Sequence, residues 1–344
     1  MLQRKHFWTS MTKDEILHYL NNPGDDERLF RRADGIRRKE CGESVYIRGI
    51  IEFSNHCVHN CLYCGLRRDN DAVVRYRMDE DEMVDTALRI ASYGVGTIVL
   101  QSGDDFFYTR SMLCRVVERI KHRADVAVTL SIGERPFDDY RALKAAGADR
   151  YLLKHETANE ALYRRLHPHQ TLRQRLRILD FLRRIGYQIG TGNIVGLPGQ
   201  TVDDLCADIV LLHDLSPDMA SVGLFIPQHD TPLATVPRGT VPATLRVLAL
   251  VRIATGNAHM PVTTALVTAD PDRGLIRGLR AGANVIMPDF TPDRYRLDYA
   301  IYDNKLQITL DAARASIHAA GRTMDRTRGD SLKKCDPPIT STDP

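Results

Sequence analysis

Cys57, Cys61 and Cys64 lie within eight residues, in the run Ser54-Asn55-His56-Cys57-Val58-His59-Asn60-Cys61-Leu62-Tyr63-Cys64. Three of the chain's seven cysteines therefore share one loop, spaced Cys-x3-Cys-x2-Cys. Three thiols in so tight a loop cannot all pair as disulfides. Zinc usually draws on two Cys-x2-Cys knuckles, so a zinc site here needs a distant fourth ligand. Three thiolates suit a 4Fe–4S cluster better, because they hold three irons and leave the fourth open to a small molecule. Spacing alone leaves both metals open.

Other polar residues gather where apolar runs end. Gln101-Ser102-Gly103-Asp104-Asp105 follows Thr97–Leu100, and Thr129, Ser131 and Glu134 close the next run. Lys154-His155-Glu156-Thr157 follows Tyr151–Leu153, and Gly192-Asn193 leads to Gly196-Leu197-Pro198-Gly199-Gln200. Thr263-Thr264, then Asn284 and Met287, complete the series. Each has a plainer reading: Lys154–Glu156 as a surface ion pair, His155 and Met287 as core, the threonines as ordinary strand residues. Recurrence at successive strand ends is what favours a site.

These residues need a scaffold that collects strand ends. Thr12-Lys13-Asp14-Glu15 caps the first of two helices before residue 41. From Val45 on, strand patterns alternate with helical ones, beginning with Val45–Phe53 and ending with Val262–Ala265 and Ala283–Met287. Eight strands separated by helices, without Gly-x-Gly-x-x-Gly after the first, predict an α/β fold with a complete (β/α)8 TIM-type barrel. The expected divisions are an N-terminal helical extension (1–44), the barrel (45–298), a C-terminal helical extension (299–322) and a flexible tail (323–344).

Bulk properties narrow the partners. The 344 residues carry a net charge of +3, which gives no electrostatic case for nucleic acid. No run reaches the ~20 apolar residues of a membrane span, so no membrane partner is expected. Unpaired cysteines and an N-terminus without an apolar signal core point to a reducing cytoplasm.

The cysteine loop after a first strand, with the aromatic Tyr63 before the third cysteine, resembles the radical S-adenosylmethionine (SAM) superfamily. Longer strings are similar to its HydE family of FeFe-hydrogenase maturases, related to biotin synthase and methylornithine synthase. They include Glu52-Phe53-Ser54-Asn55, Cys64-Gly65-Leu66-Arg67-Arg68-Asp69-Asn70, Ile98–Gly103, Ala148–Leu153, Val195–Thr201 and Ala283–Pro288. The similarity runs from about residue 10 to 322. The wider superfamily's Gly-Gly-Glu appears here as Ser102-Gly103-Asp104, and Gly199 stands where Glu is usual; HydE proteins share both deviations.

The resemblance implies one 4Fe–4S cluster held by Cys57, Cys61 and Cys64, with SAM chelated to the open iron. One electron then cleaves SAM to methionine and a 5′-deoxyadenosyl radical. Tyr63, Gln101, Ser102, Ser131, Glu156 and Arg175 would bind SAM, with Glu156 and Arg175 at its methionine end. Thr129, Lys154, Thr263, Thr264, Met287 and Tyr295 would line the substrate cavity. The implied substrate is an iron-bound cysteine complex, and the implied partners are an electron donor such as flavodoxin or ferredoxin and other hydrogenase maturases. Two departures stand out. The second cysteine triplet of many HydE proteins is absent from Gln307–Ile317, and Lys154 replaces an expected Arg, losing a two-pronged grip on carboxylates. The alternatives are a HydE-like paralogue or methylornithine synthase-like mutase acting on an amino acid, and a non-catalytic iron–sulfur or metal scaffold.

Overall fold

The computed structural model describes residues 11–333. Two N-terminal helices, α1 (Lys13–Asn21) and α2 (Asp26–Cys41), precede β1 (Ser44–Ile47) and β2 (Gly49–Ser54). The alternation then runs α3 (Glu80–Ser92), β3 (Thr97–Ser102), α4 (Arg110–Arg123), β4 (Ala127–Ser131), α5 (Phe137–Ala145) and β5 (Arg150–Leu152). It continues with α6 (Glu160–Leu166), α7 (Leu172–Arg184), β6 (Gln188–Val195), α8 (Val202–Leu215), β7 (Met219–Leu224) and α9 (Val241–Thr255). Last come α10 (Thr264–Ala269), α11 (Gly274–Arg280), β8 (Val285–Ile286), α12 (Asp293–Arg296), α13 (Leu310–Ala319) and β9 (Thr323–Asp325).

Strands β2 to β7 form a six-stranded parallel sheet in sequence order, and β8-β1-β9 form a second, three-stranded one. Every residue of β2 and β7 is buried, as for strands covered on both faces. One ladder of eight strands is not what these residues make. The expected first strand divides at Arg48, and β1 turns away to pair with β8 and β9. The expected strand Val262–Ala265 is instead the start of α10, with Thr263 at its N-cap. Pro261, which has no N–H to give a ladder, precedes it. Only single parallel bridges, Met219 to His259, Pro261 to Val285 and Ile50 to Asp289, run across this region.

The segment expected to be loose from 323 is ordered through Lys333: β9 pairs with β1, and Arg328 and Asp330 engage Arg150 at the start of β5. Residues 334–344, with Cys335, lie outside the described residues. No helix of the described residues is long and apolar enough to cross a membrane.

Candidate functional site

The cysteine loop leaves the carboxyl end of β2 and is pinned from below. Asn55, fully buried, donates to Val74 O at 2.7 Å and Asp298 O at 2.8 Å, and accepts from the Tyr76 N–H at 2.8 Å. Arg75 donates to four carbonyls, those of Asn55, Leu66, Arg67 and Asn70. Backbone bonds then fix the loop to its neighbours, Val58 N–H to Asp104 O and Leu62 N–H to Leu166 O. Gly103 is required here: a Cβ on it would lie 2.2 Å from His56 O and 2.8 Å from Cys57 Cβ.

The three cysteines are unpaired and partly buried. Burial pushes Cys57 up to about 11 and Cys64 up to about 12, and raises Cys61 well above its ordinary value. The neighbouring thiols add to the effect at Cys61 and Cys64, so the three share one space. No three His, Cys, Asp or Glu side chains among the described residues are disposed around a single ion.

Across the mouth, Glu156 sits just beyond β5 with φ +65°, a left-handed backbone unusual for a bulky residue. Its N–H donates to Gly192 O and its carbonyl accepts from the Ile194 N–H. Behind it, Asp208 of α8 accepts from the Ala158 N–H at 2.5 Å and from Asn193 Nδ2 at 3.0 Å, fastening the turn. Burial raises Asp208 to about 7. Burial also opposes ionisation of Glu156, but Lys154 Nζ lies 2.9 Å from Oε2 and the net effect holds the carboxyl below its ordinary range. Arg175 of α7 joins this group, donating to Lys154 O at 2.9 Å and to Glu134 Oε1 at 2.7 Å. Glu134 N–H in turn donates to Asp104 Oδ2, which His59 Nε2 approaches at 2.9 Å. The network thus returns to the cysteine loop.

Strand register shows which side chains share a face. Glu52, Gln101 and Ser131 are partners across β2, β3 and β4, and Leu152, Gly190 and Met219 follow on β5 to β7. A Cβ on Gly223 would lie 3.2 Å from Lys154 Nζ, so Lys154 reaches across towards β7. Thr129, one row below Ser131, is buried. Glu52 is buried against Lys305, whose Nζ meets both carboxylate oxygens, yet burial still raises it to about 7.

Tyr63 is placed by a histidine that the sequence did not single out. Its hydroxyl is 2.8 Å from His167 Nε2, while His167 Nδ1 is 2.9 Å from Tyr163 O. Burial lowers His167 to about 4, so it is neutral; its Nδ1–H donates to that carbonyl and Nε2 accepts from Tyr63. Tyr163 stacks on the same ring at 4.2 Å.

The expected residues are brought together unevenly. The cysteines, Tyr63, Glu156, Lys154 and Arg175 are linked by the contacts above. Gln101 is held by the Tyr299 hydroxyl at 3.4 Å, and Ser102 Oγ donates to Gly103 O. Thr263 donates to Val222 O at 3.2 Å, Thr264 begins α10, and Met287 is half-buried past β8. Tyr295 stands apart, stacked on Tyr76 with its hydroxyl on Glu82 of α3. His155 is a core residue bonded to Thr191. Besides His167, sequence reasoning missed Asp208 and the Glu52–Lys305 pair; a carboxylate within the apolar run Val45–Phe53 was the available signal for the latter.

Thr129 Oγ1, Gln170 Nε2 and Asn193 Oδ1 are buried without a hydrogen bond, while Glu156 Oε2 has Lys154 Nζ as its partner. Cys61 Sγ approaches the other end of the same Gln170 amide at 3.7 Å. Buried polar groups are rarely left so, and a polar ligand would satisfy them. With three thiols on one side, the donor set fits an iron–sulfur cluster and a small zwitterion beside it.

Comparisons with known proteins agree with this chemistry. A family model described as the radical SAM superfamily matches residues 51–212. The [FeFe] hydrogenase maturase subunit HydE of Thermotoga maritima is 48% identical over 89% of this chain and 86% of its own. The 3-methylornithine synthase of Methanosarcina acetivorans is 27% identical over 86% of this chain and 85% of its own. In fold, the chain is similar to the crystal structure of methylornithine synthase (PylB), with a TM-score of 0.83 at 21% identity, covering 92% of this chain and 95% of that one.

Proposed function

This chain belongs to the HydE family of the radical SAM superfamily, and from that premise we infer how its residues divide the work. It is an enzyme that uses one 4Fe–4S cluster and SAM. When bound and reduced by one electron, that pair supplies a 5′-deoxyadenosyl radical.

Cys57, Cys61 and Cys64 hold the cluster. Glu156, kept ionised by Lys154, takes the ammonium of SAM, and Arg175, braced by Glu134, meets its methionine end. Tyr63 carries the adenine on a ring fixed by His167. Gln101, Ser102 and Ser131 complete the cofactor's surroundings. Below them, Thr129, Lys154, Thr263, Thr264 and Met287 border the substrate space; Tyr295, stacked on Tyr76 and bonded to Glu82 of α3, is left out of it. Gly223 leaves room for the Lys154 head group on the β7 side. We read the bridges at His259, Pro261 and Asp289 as closing the sheet into a ring of eight positions, which excludes water from the interior.

The reaction is a step of FeFe-hydrogenase maturation, acting on an iron-bound cysteine or sulfur substrate. A small-molecule substrate passed between maturases, in a reducing cytoplasm, is the setting that HydE membership supports. The observation that carries the reading is three unpaired thiols in one loop, tied through Asp104, Glu134 and Arg175 to the Lys154–Glu156 pair. Anaerobic reconstitution tests it: reduced protein with about four irons per chain should release 5′-deoxyadenosine from SAM, and Cys61→Ala should not. Cluster-loaded, reduced protein that releases none would leave the scaffold reading standing. A paralogue acting on an amino acid is favoured only by Lys154 in place of Arg; faster SAM cleavage with amino acids than with an iron–cysteine complex would select it.

A further inference from the structure

We propose that Gln170 tunes the cluster, its side-chain amide donating an N–H to the Cys61 thiolate and so favouring the reduced state. The proposal rests on the cofactor reading above and adds to it a residue that neither binds iron nor meets substrate.

Gln170 sits in the turn between α6 and α7, where the chain passes over the cysteine loop. Leu166, the last residue of α6, accepts from the Leu62 N–H at 2.9 Å. His169 takes a left-handed backbone, φ +66°, and the Gln170 N–H closes back on His167 O at 3.1 Å. The Thr171 side chain then caps α7. The turn is fixed at both ends and aims two side chains at the loop, His167 at the Tyr63 hydroxyl and Gln170 at Cys61. Gln170 is only 7% exposed. Among the described residues its amide has one hydrogen bond, from Cys61 Sγ to Oε1 at 3.7 Å, and its Nε2 has no partner.

The chemistry of the sulfur decides which way round this amide belongs. A protonated thiol can donate to Oε1. A thiolate bound to iron has no proton to give and only accepts, so the carbonyl would then face a like partial charge. A half-turn of the amide sets Nε2–H against the sulfur, satisfies the orphaned donor and breaks no other hydrogen bond. At the other two cysteines the backbone meets the same need. Cys57 Sγ accepts from the His59 N–H at 3.5 Å, and the Leu66 N–H bonds to Cys64 and favours its thiolate. Cys61 draws on a side chain instead, so this donor can be removed by substitution. An N–H aimed at a ligating sulfur stabilises negative charge there, and the reduced cluster carries one more electron than the oxidised one, so the contact raises the reduction potential. Arg175 also favours the Cys61 thiolate, but its guanidinium is held by Glu134 and Lys154 O and stays in place when Gln170 is changed.

The test is a potentiometric titration of the anaerobic, cluster-loaded chain without SAM, followed by EPR of the reduced cluster. At the parent's midpoint, Gln170→Leu should lower the ratio of reduced to oxidised cluster about tenfold, which is a midpoint lower by about 59 mV for one electron. Iron per chain should match the parent's, and SAM affinity should stay within about twofold. In parent protein labelled with the heavy nitrogen isotope at its glutamine side-chain amides, pulsed EPR should show a nitrogen coupling to the reduced cluster that Gln170→Leu removes. An unchanged midpoint in iron-loaded Gln170→Leu would overturn the tuning role. So would a labelled parent without the coupling, a measurement that needs no variant to fold. Weakened SAM affinity at an unchanged midpoint would make Gln170 a SAM contact and overturn it as well. A parent chain that takes up no iron would refute the cofactor reading, and the tuning with it.

Discussion

Replacing Lys154 by Met should make SAM binding depend on pH where the parent's does not. Lys154 Nζ stands 2.9 Å from Glu156 Oε2 in a buried setting. At an effective dielectric of ~20, that pair attracts with about 6 kcal/mol, of which desolvation of the two ions cancels the larger part. About 2 kcal/mol should remain, equal to roughly 30-fold in the ionisation of Glu156. In the parent, Glu156 is held below its ordinary range although burial pushes the other way, so it stays charged through weakly acidic pH. Without Lys154 burial is opposed only by the lesser pull of its other neighbours, Arg175 among them, and the carboxyl gains a proton more readily as pH falls through that range. Isothermal titration of SAM into cluster-loaded protein should then show affinity weakening by about tenfold from pH 8 to pH 5.5 in Lys154→Met, and by less than about twofold in the parent. Lys154→Arg should keep the parent's flat profile, since the charge is retained, but its longer head must settle against Gly223, whose absent Cβ would be 3.2 Å from the present Nζ. A flat profile in Lys154→Met would show that Glu156 takes its charge from elsewhere, and would refute the assignment of Lys154 as its counter-ion.

Three further outcomes follow from the geometry. Gly103→Ala places a methyl 2.2 Å from His56 O, so the loop must move; iron uptake should fall by half or more, measured as iron per chain after reconstitution. Glu52, raised to about 7, binds its proton more readily folded than unfolded, so its contribution is full below about 4.5 and is lost as pH rises through 7. Urea melts at pH 5 and pH 8 should show the parent losing about 2 kcal/mol more than Glu52→Gln across that interval, and parallel pH slopes would exclude Glu52 as the group responsible. Asp208→Ala strips the acceptor from the Ala158 N–H and from Asn193 and should cost about 3 kcal/mol, against less than about 1 for Asp208→Asn, in the same melts.

Local spacing made the proposed cluster ligands stand out, because three thiols in one loop leave few chemical options. The strand-end residues were readable for a related reason: Gln101, Ser131, Lys154 and Glu156 each interrupt or terminate an apolar run. The division into a six-stranded and a three-stranded sheet was not. Val262–Ala265 is as β-branched and apolar as the true strands, and only Pro261 and the side-chain bond from Thr263 to Val222 O decide for a helix start. The ordered segment from Thr323 to Lys333 was equally hidden, since its polar residues bond to Arg150, Gln188 and Asp218, groups far off in sequence. Asp208 failed to show for the opposite reason: a carboxylate in a helix normally reads as solvent-facing, and nothing nearby in sequence tells that α8 turns it inward.

Two residues that the sequence hid, His167 and Asp208, share with Glu134 a feature that bears on the chemistry. His167, Glu134 and Asp208 are placed behind the groups proposed to meet SAM, and each fixes one of them: Tyr63, Arg175 and the Glu156 turn. Helices or helix ends on the outside of the sheet supply His167 and Asp208, while the strand ends supply the contacts. The cost of holding Glu156 at positive φ and of burying Asp208 is therefore met by the folded scaffold before any ligand arrives. A site prepared in this way needs little movement to receive a small zwitterion. It also explains why the proposed substrate end, bordered by Thr129, Gly223 and Lys154, keeps an unpaired hydroxyl rather than a second set of braces. Specificity among HydE-like enzymes should accordingly vary around Thr129 while the braces and the positive charge at Lys154 stay fixed, because losing either weakens the hold on the cofactor for every substrate alike.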